Sequence, residues 1–256
     1  MDIRAVLLDI DGTLFIGQDP IPGAAETVRF LMDNSIPYRF VSNGTRRARR
    51  SICQKLRRLK IPVSEEQIIT PAIAAVRYLK EQGFDCCTLL ATEDLREDFI
   101  SGGIDLNENA PVLVIGDAAD QFSYQAMNSA FRQIMNGSLL ISLEKDTHWR
   151  DGDGLSLGAG AFVAGLEYAT GITSHLIGKP SPDFFRMALA SMGAEPGMSV
   201  MIGDDITSDA LGAMGAGLIG VLVMTGKYQP ERMTEVVKMP DLVIPSIASV
   251  PDLFKR

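Results

Sequence analysis

The chain has 256 residues, 46% of them hydrophobic, with a formal net charge of -8 and a pI near 4.9. That length allows one large domain or two modest ones around a sizeable core, and the composition excludes a disordered chain. An acidic surface argues against nucleic acid and anionic membrane as partners, and no apolar run is long enough to span a bilayer.

The cysteines are Cys53, Cys86 and Cys87. An odd count with two adjacent and no C-x-x-C argues against a disulfide framework or a zinc site. Asp2, Asp9 and Asp11 interrupt the stretch where a signal peptide needs apolar residues. A reducing, cytoplasmic setting is expected.

In chain order, apolar runs alternate with helical patterns. "RAVLLDI" reads as a strand, and "GAAETVRFLMDNS" as a helix with Ala24, Val28, Leu31 and Met32 at helical spacing. "YRFVSN" (38–43) reads as a second strand and "TRRARRSICQKLRRLK" as a second helix. This β-α-β-α order implies a parallel sheet covered by helices. The last third repeats it. "SHLIGK" reads as a strand, "SPDFFRMALASMG" as a helix with Ser181 as cap and Pro182 in its first turn, and "SVMIGDD" as a strand. "ITSDALGAMGA" is predicted helical, "GLIGVLVMTG" a strand, "PERMTEVVKM" a helix and "DLVIPS" a strand, with a terminal helix over 246–254. Between them, helices are predicted over 71–82, 93–102, 121–136 and 158–170, with strands over 86–91, 111–116 and 138–143. The polar, Gly-rich stretch "SLEKDTHWRDGDGLSLGAG" is predicted as a loop. The middle reads as a second α/β domain inserted into the first.

Four constellations could carry chemistry. "VLLDIDGT" ends an apolar run in Asp9 and Asp11. Ligands of open parallel sheets bind beyond the carboxyl ends of the strands. Two close carboxylates disfavour each other's ionisation unless a cation joins them, and Mg²⁺ takes oxygen ligands. From these residues alone a capped turn is an equal reading. "MIGDDITSD" repeats the pattern with Asp204, Asp205 and Asp209, any of which could instead be a helix cap. "FVSNG" places Ser42, Asn43 and Gly44 where amides at a helix start would suit an oxyanion, though an ordinary helix cap explains them as well. "IGKPSPD" sets Lys179 near a strand's end, where it could neutralise a phosphate or simply lie on the surface.

Together, D-x-D-G-T, hydrophobics-S-N, G-K-P and G-D-D-x-x-S-D resemble the four motifs of the haloacid dehalogenase-like hydrolases. "LLDIDGTLFIGQDPIPGAAETVRFL" and "GKPSPDFF" are similar to its subfamily IIA, the NagD-like branch that includes phosphoglycolate, pyridoxal-phosphate and lysine/histidine-pyrophosphate phosphatases. The resemblance implies a Rossmann-like parallel-sheet α/β core, residues 1–72 and 176–256, with an α/β cap of the C2 type over 73–175. It implies a Mg²⁺-dependent phosphatase of small phosphorylated metabolites. Asp9 would attack phosphorus, and Asp11 would act as general acid and base. Mg²⁺ would be held by Asp9, the Asp11 main chain and Asp204, with Asp209, and less clearly Asp205, behind them. Lys179, Ser42, Asn43 and Gly44 would bind the phosphate, and Thr13 would fix the loop. Cap residues His148, Trp149 and Asp151 would face the leaving group, and a homodimer through the cap is allowed. A non-catalytic phosphometabolite-binding protein and a metal-free dehalogenase are the alternatives. Asp11 favours phosphate over halide, because the dehalogenases lack it.

Three features carry less. "GAGLIG" (215–220) fits a dinucleotide fingerprint in letters, but a helix precedes it and a strand follows, the reverse of what that fingerprint needs. "DGDG" (151–154) lacks calcium-loop spacing and reads as a turn. The basic run from Arg46 to Lys60 reads as a solvated helix face, with Arg46 a candidate for drawing in anions.

Overall fold

The computed structural model describes residues 2–151 and 154–255. Its elements are β1 (Ala5–Asp9), β2 (Phe15–Ile16), β3 (Asp19–Pro20), α1 (Ala24–Asp33), β4 (Tyr38–Val41), α2 (Arg49–Arg58), β5 (Ile68–Ile69) and α3 (Pro71–Glu81). There follow β6 (Cys86–Leu90), α4 (Arg96–Ser101), β7 (Asp105–Leu106), β8 (Val112–Ile115), α5 (Tyr124–Met135), β9 (Leu139–Ser142), β10 (His148–Asp151) and β11 (Gly154–Leu157). The chain ends with α6 (Ala159–Thr170), β12 (His175–Leu176), α7 (Pro182–Ala190), β13 (Ser199–Gly203), α8 (Gly212–Gly215), β14 (Ile219–Val223) and β15 (Leu242–Ile244). Two compact units result. Met1–Ser42, Cys53–Ile69 and Lys179–Arg256 form the first, and Asn43–Ile52 with Thr70–Gly178 form the second.

The first unit holds a parallel six-stranded sheet in the order β15-β14-β13-β1-β4-β5. Every residue of β1 and β13 is buried. That explains why their sequences are continuous apolar runs rather than alternating ones, since a central parallel strand is covered on both faces. α1 buries Ala24, Thr27, Val28 and Leu31, the stripe that a 3.6-residue period sets on one face. α7 buries Phe184, Phe185, Ala188 and Leu189, with Pro182 in its first turn. The strand order runs outward from β1 to β4 and β5 on one side and from β13 to β15 on the other. The switch point therefore lies between β1 and β13, where such sheets leave a crevice at the carboxyl ends.

The second unit holds its own parallel sheet, β12-β9-β8-β6-β7. Leu113, Ile115, Ala130, Ile134, Leu140, Val163 and Leu166 form a core between this sheet and α5 and α6.

Several segments differ from expectation. "SHLIGK" contributes only His175–Leu176, which pairs with β9 in the second unit's sheet instead of extending the first. Two short strands, β5 and β7, lack a sequence signal because two residues carry no periodicity. The segment 230–239 forms only a short 3₁₀ turn at Pro230–Thr234, with Val237 and Met239 exposed. The terminal helix is a 3₁₀ helix, Ile247–Phe254, because Pro251 removes a donor from an α ladder. Ser181 makes no side-chain cap bond. The polar stretch after β9 is an antiparallel hairpin, β10 with β11; of the turn expected over 151–154, Asp151 and Gly154 end and begin the two strands, and 152–153 lie outside the described residues. No helix among the described residues is long and apolar enough to cross a membrane.

Candidate active site

The parallel register decides which residues share the sheet's carboxyl edge. Asp9 pairs with Val41, Leu8 with Ile202, and Gly203 with Leu222. Asp9, Ser42, Asp204 and the residues just beyond Val223 must therefore emerge side by side. Asp9, Ser42 and Asp204 are all buried.

Lys179 joins this edge from the loop ahead of α7. Its Nζ donates to Asp9 Oδ1 and to Asp209 Oδ1, each at 2.6 Å. Lys179 is 2% exposed. Burial alone would lower its pKa, but the charges of Asp209 and Asp9 outweigh that and raise it, so the ammonium persists. Sequence placed Lys179 at the end of a strand of this sheet; instead it is carried in by the segment after β12, and its long stem reaches the site.

Asp209 sits on a π-helical turn, Ile206–Leu211, after β13. Its Oδ2 accepts the Asp205 amide at 3.0 Å. A Cβ on Gly203 would overlap its carboxylate, so the strand can end here only in glycine. Burial, with the charges of Asp9 and Asp205, pushes the Asp209 carboxyl up to about 7 against the pull of Lys179. The Asp204 carboxyl rises to about 8, from burial first and then from the charges of Asp9 and Asp209. Asp9 is raised as well, chiefly by burial. Asp205 is different. Its Oδ1 accepts the Thr207 and Ser208 amides at 2.9 and 3.0 Å, which makes it the cap of the following turn. Burial pushes it up, but Lys227 and those amides hold it below its usual range.

One oxygen from each of Asp9, Asp204 and Asp209 lies within 4.8 Å of the others. The buried ammonium bonds two of these carboxylates, Asp9 and Asp209, and the charges of those two raise the pKa of the third, Asp204. A hard divalent cation with oxygen ligands relieves that conflict, so the donor set fits Mg²⁺. Both Asp209 oxygens already accept hydrogen bonds. The Thr13 hydroxyl donates to Asp9 Oδ2 at a longer 3.3 Å. Asp11 is exposed and its main chain bridges to Phe15.

The second motif is placed differently from expectation. The Ser42 amide donates to Ile69 O at 3.1 Å, so β5 uses it. α2 starts at Arg49, not directly after Gly44. The Ala48 and Arg49 amides, which a helix start would offer to an anion, are taken by Asp94 and Asp98. Asn43 and Gly44 belong to the second unit, where Asn43 Nδ2 donates to Asp146 Oδ1 at 3.3 Å. His148 is also there, exposed on β10 with Nδ1 3.0 Å from the Thr147 hydroxyl. The Arg46 guanidinium lies over the Trp149 ring and its Nε donates to Asp117 Oδ2 at 2.7 Å. The Asp151 side chain lies outside what is described.

Sequence reasoning missed one group. After β14, the Lys227 amide donates to Asp204 Oδ2 and the Thr225 hydroxyl donates to Gly12 O, both at 2.6 Å. The signal was available: "VLVMTGK" ends an apolar run in polar residues and glycine, as "LLDIDGT", "FVSNG" and "MIGDD" do.

The model for the haloacid dehalogenase-like hydrolases matches residues 6–105, and a second model, HAD-hydrolase-like, matches residues 176–250. The chain is 39% identical to haloacid dehalogenase-like hydrolase domain-containing protein 2 of Bos taurus over 250 residues, covering 98% of this chain and 95% of that protein. It is 41% identical to the phospholysine phosphohistidine inorganic pyrophosphate phosphatase of Xenopus laevis over 244 residues, covering 91% and 88%. Among solved structures it superposes on NagD from E. coli K-12 with a TM-score of 0.89 and 27% identity, covering 98% and 99%.

Proposed function

The chain belongs to the haloacid dehalogenase-like hydrolases, in their NagD-like branch, and we propose that it is a Mg²⁺-dependent phosphatase of small phosphate monoesters. The observation that carries this reading is the Lys179 ammonium held between Asp9 and Asp209 beside Asp204, at the switch point of the sheet.

Lys179 fixes the Asp9 carboxylate through Oδ1, so the nucleophile's rotamer is set before substrate arrives. An Asp9 oxygen forms a bond to phosphorus as the ester P–O bond breaks, giving an aspartyl-phosphate. Asp11, exposed two residues on, protonates the leaving alcohol. It then takes a proton from the water that attacks phosphorus, releasing inorganic phosphate and restoring Asp9. Lys179 offsets negative charge on the phosphoryl oxygens, and Asp209 keeps Lys179 aimed at Asp9. Mg²⁺, held by Asp9, Asp204 and the Asp11 main chain, would supply the positive charge that screens these carboxylates from the incoming anion. Selection among leaving groups is assigned to the inserted second unit and its His148. The three cysteines, none in a disulfide, support a cytoplasmic setting.

A p-nitrophenyl phosphate assay tests this reading. Turnover should require Mg²⁺, stop with EDTA and vanish in Asp9→Asn. Binding without turnover would favour a phosphometabolite-binding protein, and EDTA-resistant activity on chloroacids would favour a dehalogenase.

A further inference from the structure

The chain leaving β14 passes directly beside residue 204, because β14 is the parallel neighbour of β13 with Leu222 opposite Gly203. Met224 is fixed at the start of this segment, its amide donating to Ile244 O at 3.0 Å. The next three residues turn back over the site. The Thr225 hydroxyl donates to Gly12 O, the Lys227 amide donates to Asp204 Oδ2, and the Tyr228 amide closes the turn on Thr225 O at 3.0 Å. The Lys227 ammonium reaches Asp205 Oδ2 at 3.4 Å.

Gly226 has φ 58° and Gly12 has φ 85°. A Cβ on either would overlap Asp204 Oδ2. This oxygen is thus slotted between two glycine backbones and tied to one amide. Thr225, through Gly12 O, and Gly226, packed against Gly12, also hold the turn that follows Asp9 and Asp11.

We propose that Thr225–Gly226–Lys227 is a positioning strap that locks the Asp204 carboxylate and the Gly12 turn together and thereby sets the protein's affinity for its divalent ion. This rests on the reading of Asp9 and Asp204 as ligands of that ion. A carboxylate already held in one orientation loses little freedom on binding, and partners that orient ligating carboxylates change metal affinity by about 10–100-fold.

The test uses the intact chain stripped with EDTA and titrated calorimetrically with Mg²⁺ or Mn²⁺ alone. Thr225→Val should weaken binding by about tenfold, and Thr225→Ser, which restores the hydroxyl, should recover it to within about twofold. Gly226→Ala should abolish measurable binding. Metal-free melting curves report whether each variant folds, and Thr225→Ala replaces the valine variant if the extra methyl unfolds it. In turnover assays the valine variant should need about tenfold more Mg²⁺ for half-maximal rate, while kcat at saturating Mg²⁺ stays within about twofold. Wild-type affinity in a folded Thr225→Val or Thr225→Ala chain overturns the proposal, as does a lower kcat with unchanged metal affinity. A wild-type chain that binds Mg²⁺ but hydrolyses no monoester sinks the functional reading and leaves the strap intact. One that binds neither ion overturns both.

Discussion

Lys179 Nζ stands 2.6 Å from Asp209 Oδ1, and the two side chains are 2% and 1% exposed. In the proposed mechanism Asp209 therefore acts through the lysine. Lys179→Met leaves the Asp9 and Asp209 carboxylates buried without their cation, and a protonated Asp9 is no nucleophile. The expected kcat loss is about 10²–10³-fold, the scale for removing one charge-stabilising donor. Asp209→Asn keeps Lys179 on Asp9 and should cost only about 10–100-fold. Equal losses in the two variants would contradict this ranking. In EDTA, Lys179→Met should also be destabilised more at pH 8 than at pH 5, because the orphaned acids take up protons at the lower pH.

Gly203 supports the same pair from below. A side chain here would collide with the Asp209 carboxylate rather than with a flexible tip. Gly203→Ala should lower stability by about 1–3 kcal/mol through overpacking. Turnover should fall along with it, because displacing Asp209 disturbs Lys179. Urea unfolding and a Mg²⁺-saturated rate measurement check both. A stable, fully active variant would show that Asp209 has room to move.

Why was the Asp9–Lys179–Asp204 edge legible in the sequence when other parts were not? Its strands are central and parallel, so burial on both faces writes them as uninterrupted apolar runs, and the acids stand where those runs stop. Lys179 was legible as a residue but not in its route, because a two-residue strand such as His175–Leu176 has no period to assign it to a sheet. The β10–β11 hairpin was hidden by polarity: Leu155 and Leu157 alternate with Gly154 and Ser156, yet both leucines are exposed. The stretch 230–239 carries apolar residues at helical spacing, but tertiary packing leaves Val237 and Met239 in solvent. Asp98 and Asp94 capture the start of α2 from far along the chain, which local spacing cannot reveal. The strap after β14 was visible in its letters and lacked only the knowledge that β14 neighbours β13.

Glu144 gives a pH dependence of opposite sign to that of a salt-bridged acid. It is 5% exposed. Burial first, and the nearby Asp146 charge second, push its carboxyl up to about 8, although the Asp146 and Ala159 amides donate to it. Between its ordinary value near 4.5 and about 8, the folded state holds this proton more tightly than the unfolded state. Stability from this group is therefore full below that range, declines as pH rises through it, and is flat above it. Glu144→Gln cannot titrate, so its unfolding free energy should fall less steeply from pH 5 to pH 8 than that of the wild type. Parallel curves for the two proteins would mean that Glu144 is ionised throughout.

Arg46 and Trp149 supply an optical test within the second unit. The guanidinium carbon lies 4.4 Å from the ring centroid, and Arg46 Nε donates to Asp117 Oδ2, which belongs to a side chain only 9% exposed. Trp149 Nε1 is buried and has no hydrogen-bond partner among the described residues. The pairing uses Arg46's charge locally, which weakens the expectation that it draws anions from solution. Arg46→Ala uncovers one ring face and leaves Asp117 with the Ala119 amide alone of these two partners. The chain has a single Trp, so its emission reports this site without interference. The emission should shift to longer wavelength, and stability should drop by about 1–3 kcal/mol, the scale for losing a charged hydrogen bond and a stacked cation. Arg46→Lys should keep part of the stability but not the ring cover, because an ammonium lacks the planar face that stacks. Unchanged emission in Arg46→Ala would show that the guanidinium does not rest on Trp149 in solution.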